Sequence, residues 1–256
     1  MSTISPPSSA PPKADERGAD PVRLQRVRTV LFDLDGTLAD TAPDIAFALN
    51  TVLAEEGRAP LPAAELKPLI SRGAAAMVAH GFNGVSAAAE PERILQRLLK
   101  VYRAHIADHT RLFEGMEAVL RELDARDVRW GVVTNKQRWL TEPLLDALAL
   151  TSRAACIVSG DTTPKQKPHP EPLLAACERT GSRPEECVYI GDALRDIEAG
   201  RRAGMGTLVA LYGYLAEGDD PATWGANGLL ACPEDVIGWL DRNGAEGLSG
   251  GGQLQT

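Results

Sequence analysis

The apolar run Val30-Leu31-Phe32 stops at Asp33, and Asp35 follows two residues later. A carboxylate can attack as a nucleophile and a second one can carry the proton, so this pair suits covalent and general acid/base chemistry. In a strand the two would share a face and repel each other, which demands a positive charge beside them. Other apolar runs end in groups that answer this demand. Trp130–Val133 runs into Thr134 and Asn135, Val188–Ile190 runs into Gly191 and Asp192, and Lys167 stands just before Pro168 and a helical stretch. Carboxylates, a hydroxyl, an amide and a lysine together fit a divalent cation and a phosphate. Mg²⁺ takes a few carboxylates plus water and phosphate oxygens, and Asp33 and Asp192, with Asp35 beside them, form the candidate metal set. Asp33 is the candidate nucleophile, through an aspartyl-phosphate, and Asp35 the candidate acid and base. Thr134 and Lys167 are the candidate phosphoryl holders, and Asn135 is placed to orient either a phosphate oxygen or a carboxylate.

Each group has a plainer reading. Asp-Gly marks hairpins, but no alternating strand follows over Thr37–Pro43. A calcium loop of the EF-hand type needs Gly at its sixth position and Glu at its twelfth, where this chain has Leu38 and Asp44. Asp196 reads as a helix cap and support, and a lone lysine before proline reads as a solvated surface group. It is the joint pattern that outweighs these readings.

The elements that must position these groups are legible as period and composition. Short β-rich runs lie at Val27–Phe32, Val128–Val133, Ala155–Val158, Val188–Ile190 and Thr207–Leu211, with a weaker one at Gly228–Ala231. Helical spacing separates most of them, at Gly115–Asp124, Leu140–Ala149, Pro170–Arg179 and Leu194–Ala203. Continuous apolar strands alternating with helices predict an α/β fold with a Rossmann-like parallel sheet covered on both faces. Ligands gather at the carboxyl ends of such strands. From Thr41 to Arg111 the strand signal lapses, while Asp44–Glu55, Ala63–Ile70, Ala74–Ala79 and Glu90–Ala107 carry helical spacing. The expected organisation is a core over residues 26–42 and 112–242, an inserted all-helical cap over 43–111, and disordered tails at 1–25 and 243–256.

Composition bounds the function. The 256 residues are 44% hydrophobic and carry a formal net charge of −8, which argues against binding to nucleic acid or a membrane surface. No apolar run is long enough to cross a bilayer, and the first residues lack a signal peptide's apolar core, so a cytoplasmic protein is expected. Cys156, Cys177, Cys187 and Cys232 have no CxxC spacing and read as reduced core thiols.

Four motifs, DxDGT at Asp33–Thr37, TN at Thr134-Asn135, KPxP at Lys167–Pro170 and GDxxxD ending in Asp192–Asp196, resemble the haloacid dehalogenase superfamily of phosphohydrolases. The similarity spans about Val27 to Leu240. It implies Mg²⁺ dependence, an aspartyl-phosphate intermediate and a cap that closes over a small-molecule substrate, in a monomer or homodimer. A helical cap between the first motif and the second strand is similar to the subgroup of phosphoglycolate phosphatases. The runs around KPHPEPLLAAC and GDALRDIEAGRRAG look like bacterial phosphatases for phosphoglycolate or for N-acetylmuramic acid 6-phosphate. Asp35 is what phosphate-transferring members have and dehalogenating members lack. Phosphonate hydrolysis would need a cap lysine, but Lys67 beside Pro68 reads as a surface group. Arg72 falls in the cap's specificity loop, where its fork suits a substrate carboxylate. Ala193 departs from the Ser, Thr or Asp of many relatives, which predicts a missing hydrogen bond near the metal.

Overall fold

A computed structural model describes residues 26–82 and 91–244 of the chain. Residues 1–25, and with them the predicted N-terminal tail, lie outside this range, as does the predicted tail beyond residue 244.

Six strands, β1 (Thr29–Phe32), β4 (Arg129–Val133), β5 (Cys156–Val158), β6 (Cys187–Gly191), β7 (Gly206–Ala210) and β8 (Gly228–Leu230), form one sheet in the order β5-β4-β1-β6-β7-β8. Every pairing between these neighbours is parallel. The strands are apolar on both faces because both faces are covered. Val30 and Phe32 of β1 pack with Val119 and Leu123 of α5 (Met116–Ala125), Leu144 of α6 (Arg138–Ala147) and Trp239 of α9 (Asp235–Gly244). Leu31 points the other way, into a core shared with Leu173 of α7 (Glu171–Thr180) and Ala199 of α8 (Leu194–Ala203). All six predicted strands are present. Helix α9 was not anticipated, and it carries Asn243 and Gly244 out of the predicted tail. Three of the cysteines are buried as expected, but Cys232 is exposed.

Two further strands of two residues each, β2 (Ala39–Asp40) and β3 (Arg111–Leu112), pair antiparallel. They were too short to leave a periodic signal. Between them run α1 (Ala42–Glu55), α2 (Ala63–Ile70), α3 (Ala74–Gly81) and α4 (Pro91–Ala104). Ile94, Leu98, Val101 and Tyr102 of α4 recur at helical spacing and are buried against Leu49, Val52 and Leu53 of α1 and Leu66 of α2, in an apolar cluster that Leu140 of α6 and Tyr214 join from the sheet side.

Asp44, in the first turn of α1, ties the departure of this helical segment to its return. Its carboxylate accepts the His109 N–H at 3.0 Å, the Thr110 N–H at 2.8 Å and the Thr110 hydroxyl at 2.7 Å. Burial pushes its carboxyl up, but these donors outweigh burial and hold it below the ordinary value of 3.8. Asp44→Ala should cost about 2–3 kcal/mol at pH 7, since it leaves buried donors unpaired. A group with a lowered folded-state value stabilises above its unfolded value and loses that contribution as pH falls. Urea unfolding of both proteins should therefore show the difference shrinking below about pH 4.

Candidate active site

Strand β1 has β4 on one side and β6 on the other, and the chain moves outward in opposite directions from it. This is the point where a crevice opens at the carboxyl ends of a parallel sheet. Asp33 is the first residue past β1, and its N–H donates to the Ile190 carbonyl at 2.8 Å, carrying the pairing with β6 one residue further. The chain then turns. Leu38 N–H returns to the Asp33 carbonyl at 3.2 Å, Ala39 N–H to the Leu34 carbonyl at 3.0 Å, and Gly36 sits at φ 81°. That turn needs glycine twice over, for the left-handed backbone and because a Cβ would overlap the Asp192 carboxylate. Asp35 therefore lies outside the strand, and the expectation that it shares a face with Asp33 is corrected: the turn sends the two carboxylates to different partners.

Asp33 faces Lys167. The Lys167 ammonium lies 2.8 Å from both Asp33 Oδ1 and Asp196 Oδ1, and it donates to the Tyr189 hydroxyl at 2.6 Å and the Val133 carbonyl at 3.1 Å. All of these groups are buried. Asp192 completes the cluster, and ligating oxygens of Asp33, Asp192 and Asp196 lie within 4.8 Å of one another. The structure thus brings Asp196 to Asp33 and Asp192, two of the three carboxylates of the expected metal set, the third being Asp35. The reason is the helical register: Asp196, at the start of α8, is carried back beneath the sheet end, and its Oδ2 also accepts the Ala193 N–H at 3.1 Å. Asp196 does far more than the expected capping. Burial pushes the Asp192 carboxyl up to about 7, helped by the charges of Asp196 and Asp33. Asp196 is raised as well, chiefly by burial. Asp192 is nonetheless well supported, by the Tyr214 N–H at 2.8 Å and by the hydroxyls of Ser71 at 3.2 Å and Thr37 at 3.3 Å. One of these hydroxyls, that of Ser71, comes from the helical segment.

Asp35 is engaged by Lys136, whose ammonium lies 2.6 Å from Asp35 Oδ1, and by the Thr41 hydroxyl at 2.7 Å. Burial opposes charge on Lys136, yet Asp35 beside it holds the ammonium above its ordinary value. The ammonium also sits 4.7 Å from the ring centroid of Tyr102 of α4, whose own hydroxyl burial pushes up to about 12. The sequence reading missed Lys136, although it directly follows the Thr-Asn pair; a lysine at a strand end carries no periodic signal of its own. Asn135 lines the cavity and also holds the backbone of Lys167. Its amide accepts the Lys167 N–H at 3.0 Å and donates to the Lys167 carbonyl at 3.0 Å, clamping the lysine's backbone. Thr134 is buried at the end of β4, its hydroxyl accepting the Lys136 N–H at 3.2 Å. Lys67 is half-exposed and 3.8 Å from Asp40, a surface pair as expected.

A cavity of about 380 Å³ opens over these groups. Asp33, Asp35, Thr134, Asn135 and Lys136 form its polar floor, and Ile45, Ile70, Met77 and Leu98 contribute an apolar wall. Arg72 borders it from the turn between α2 and α3, where it is exposed.

Residues 30–210 match the haloacid dehalogenase-like hydrolase family along more than half of the chain. The chain belongs to this family. A phosphoglycolate phosphatase of Xylella fastidiosa is 46% identical over 206 residues, covering 80% of this chain and 90% of that protein. An N-acetylmuramic acid 6-phosphate phosphatase of Pseudomonas aeruginosa is 39% identical over 221 residues, covering 86% and 98%. Among solved structures, that of a predicted phosphoglycolate phosphatase from Haemophilus somnus 129pt superposes with a TM-score of 0.75 at 24% identity, covering 84% of this chain and 98% of that one, a likeness of fold.

Hydrolases of this family are generally metal-dependent, and the acidic trio fits a hard divalent cation. Its donors are all oxygens, and three buried carboxylates face one lysine. A proton on Asp192 competes with such an ion, because a ligand carboxylate must be ionised. Calorimetric titration with Mg²⁺ should accordingly show affinity falling by up to about tenfold per pH unit below about pH 7 and levelling off above it. An affinity unchanged from pH 8 to pH 6 would contradict the assignment.

Proposed function

We propose that the chain is a cytoplasmic, Mg²⁺-dependent phosphatase that hydrolyses a small phosphomonoester bearing a carboxylate, with residues 26–42 and 112–242 as its core and 43–111 as its cap. The observation that carries this reading is the buried Lys167 ammonium, 2.8 Å from Asp196 and from Asp33, the last of which lines the cavity. A nucleophilic carboxylate beside a fixed cation suits attack on a trianionic transition state, where charge must be met by groups already in place.

Each side chain then has a task. Asp33 attacks phosphorus, and the ester oxygen leaves as the aspartyl-phosphate forms. Asp35 protonates that oxygen and afterwards takes a proton from the attacking water. Its pairing with Lys136 and Thr41 holds the carboxylate in place above the floor. Lys167 and Thr134 hold phosphoryl oxygens, and Asn135 keeps Lys167 in register by its two hydrogen bonds to the lysine's backbone. Mg²⁺ held by Asp33, Asp192 and Asp196 would supply further positive charge to the phosphoryl oxygens. Arg72 offers its fork to the substrate's carboxylate.

Two acids fit this description. The first is 2-phosphoglycolate, in line with the relative that is 46% identical. The second is N-acetylmuramic acid 6-phosphate, and one observation favours it: a cavity of about 380 Å³ with an apolar wall of Ile45, Ile70, Met77 and Leu98 exceeds what a two-carbon acid fills. Purified protein with Mg²⁺ should release phosphate from at least one of them, and side-by-side kcat/KM values separate the two. Asp33→Asn should lower kcat by at least about a thousandfold with the unfolding temperature little changed. An active Asp33→Asn enzyme would remove the nucleophile assignment.

A further inference from the structure

Two guanidinium groups border the cavity, those of Arg72 and Arg195. Among the described residues, neither Arg72 nor Arg195 makes a side-chain hydrogen bond or ion pair. Arg72 is exposed, so its freedom is unremarkable in a surface arginine. Arg195 is different. It is the second residue of α8, it is half-buried, and it lies between the acidic trio and the cavity. Burial opposes its charge, while Asp196, Asp33 and Asp192 act on it from a distance and keep it ionised. Its five N–H donors meet no protein acceptor and stay open to the two spaces that it borders.

Location adds a second observation. Beside the main cavity lies a smaller hollow of about 160 Å³. Ser71, Arg72 and Arg195 border both spaces, so they stand at the passage between them. Arg72 and Ser71 come from the helical segment, Arg195 from the helix that carries Asp196 against the sheet. Ser71 already donates to Asp192. Two cationic forks from opposite sides therefore border one passage. In the proposed reaction Lys167 and Thr134 hold the phosphoryl group, so a second anion at this passage belongs to the rest of the substrate.

We propose that Arg195 is a specificity-determining residue that binds the substrate's carboxylate jointly with Arg72, gripping it between the sheet side and the helical segment. The proposal rests on the phosphatase reading above and deepens it. A planar fork matches a carboxylate's two oxygens, and a site built this way discriminates strongly against an analogue without the acid, whose binding leaves the arginine donors unpaired.

The test compares matched pairs of esters: 2-phosphoglycolate with 2-hydroxyethyl phosphate, and N-acetylmuramic acid 6-phosphate with N-acetylglucosamine 6-phosphate. In the pair whose acid the wild-type enzyme turns over faster, Arg195→Gln should lower the acid-to-neutral ratio of kcat/KM by about tenfold or more. Most of that loss should appear in KM for the acid. Arg195→Lys should recover only part of the ratio, because an ammonium lacks the fork. Combining Arg195→Gln with Arg72→Gln should cost less than the product of the single effects, as expected of residues that share one ligand. Equal losses on acid and neutral ester would overturn the proposal in favour of contact with the phosphoryl group. An unchanged ratio with only a lower unfolding temperature would overturn it in favour of a structural role. A wild-type protein that released phosphate from none of the four esters would overturn the phosphatase reading as well.

Discussion

The structure is organised around a surplus of buried negative charge. Three carboxylates converge at one end of the sheet, and one ammonium is packed among them. Burying such a set is costly, and replacing an ion pair of this sort by apolar residues often leaves a protein no less stable. Its retention points to use rather than to support. Much of the surrounding chain keeps this arrangement possible: the Tyr189 hydroxyl and Val133 carbonyl are further acceptors beside the Lys167 ammonium, Asn135 fixes its backbone, and hydroxyls from Thr37 and Ser71 attend Asp192.

The parallel sheet makes the convergence geometrically cheap. Because β1 lies between β4 and β6, the residues that follow these three strands arrive side by side without long excursions. Asp33 follows β1, Thr134 follows β4 and Asp192 follows β6. The charges are therefore presented by backbone that is already paired within the sheet, and they need little reorganisation to meet a developing charge. The helical segment supplies the opposite wall, and Leu140 and Tyr214 from the sheet side pack into its apolar cluster.

Strand ends were readable because each breaks an apolar run with a polar residue, and that is how Asp33, Thr134, Asp192 and the six strands could be found. Residues brought in by helical register were less visible. Asp196 looked like a cap because its neighbours in sequence say nothing of Lys167, which lies 2.8 Å away but far off in the chain. Lys136 escaped notice since only the turn at Gly36 decides which carboxylate it meets. The hold of Asn135 on the Lys167 backbone is likewise invisible in sequence, because 32 positions separate the two residues. Strands β2 and β3 went unseen because two residues cannot establish a period. Motif spacing thus reveals which residues gather, while the pairing among them depends on contacts distant in sequence.

That short ladder has a consequence for how the chain is assembled. Asp40 and Arg111 are paired neighbours, so the polypeptide leaves the sheet and comes back at almost the same point in space. To the sheet, everything from residue 41 to residue 110 is a loop with closed ends. The entropy of closing a loop grows only logarithmically with its length, by about 0.6 kcal/mol for each doubling. The length of the segment is accordingly a weak constraint on closing that loop. The catalytic floor and the wall facing it can thus diverge at different rates, one constrained by chemistry and the other free to follow whichever substrate selection offers.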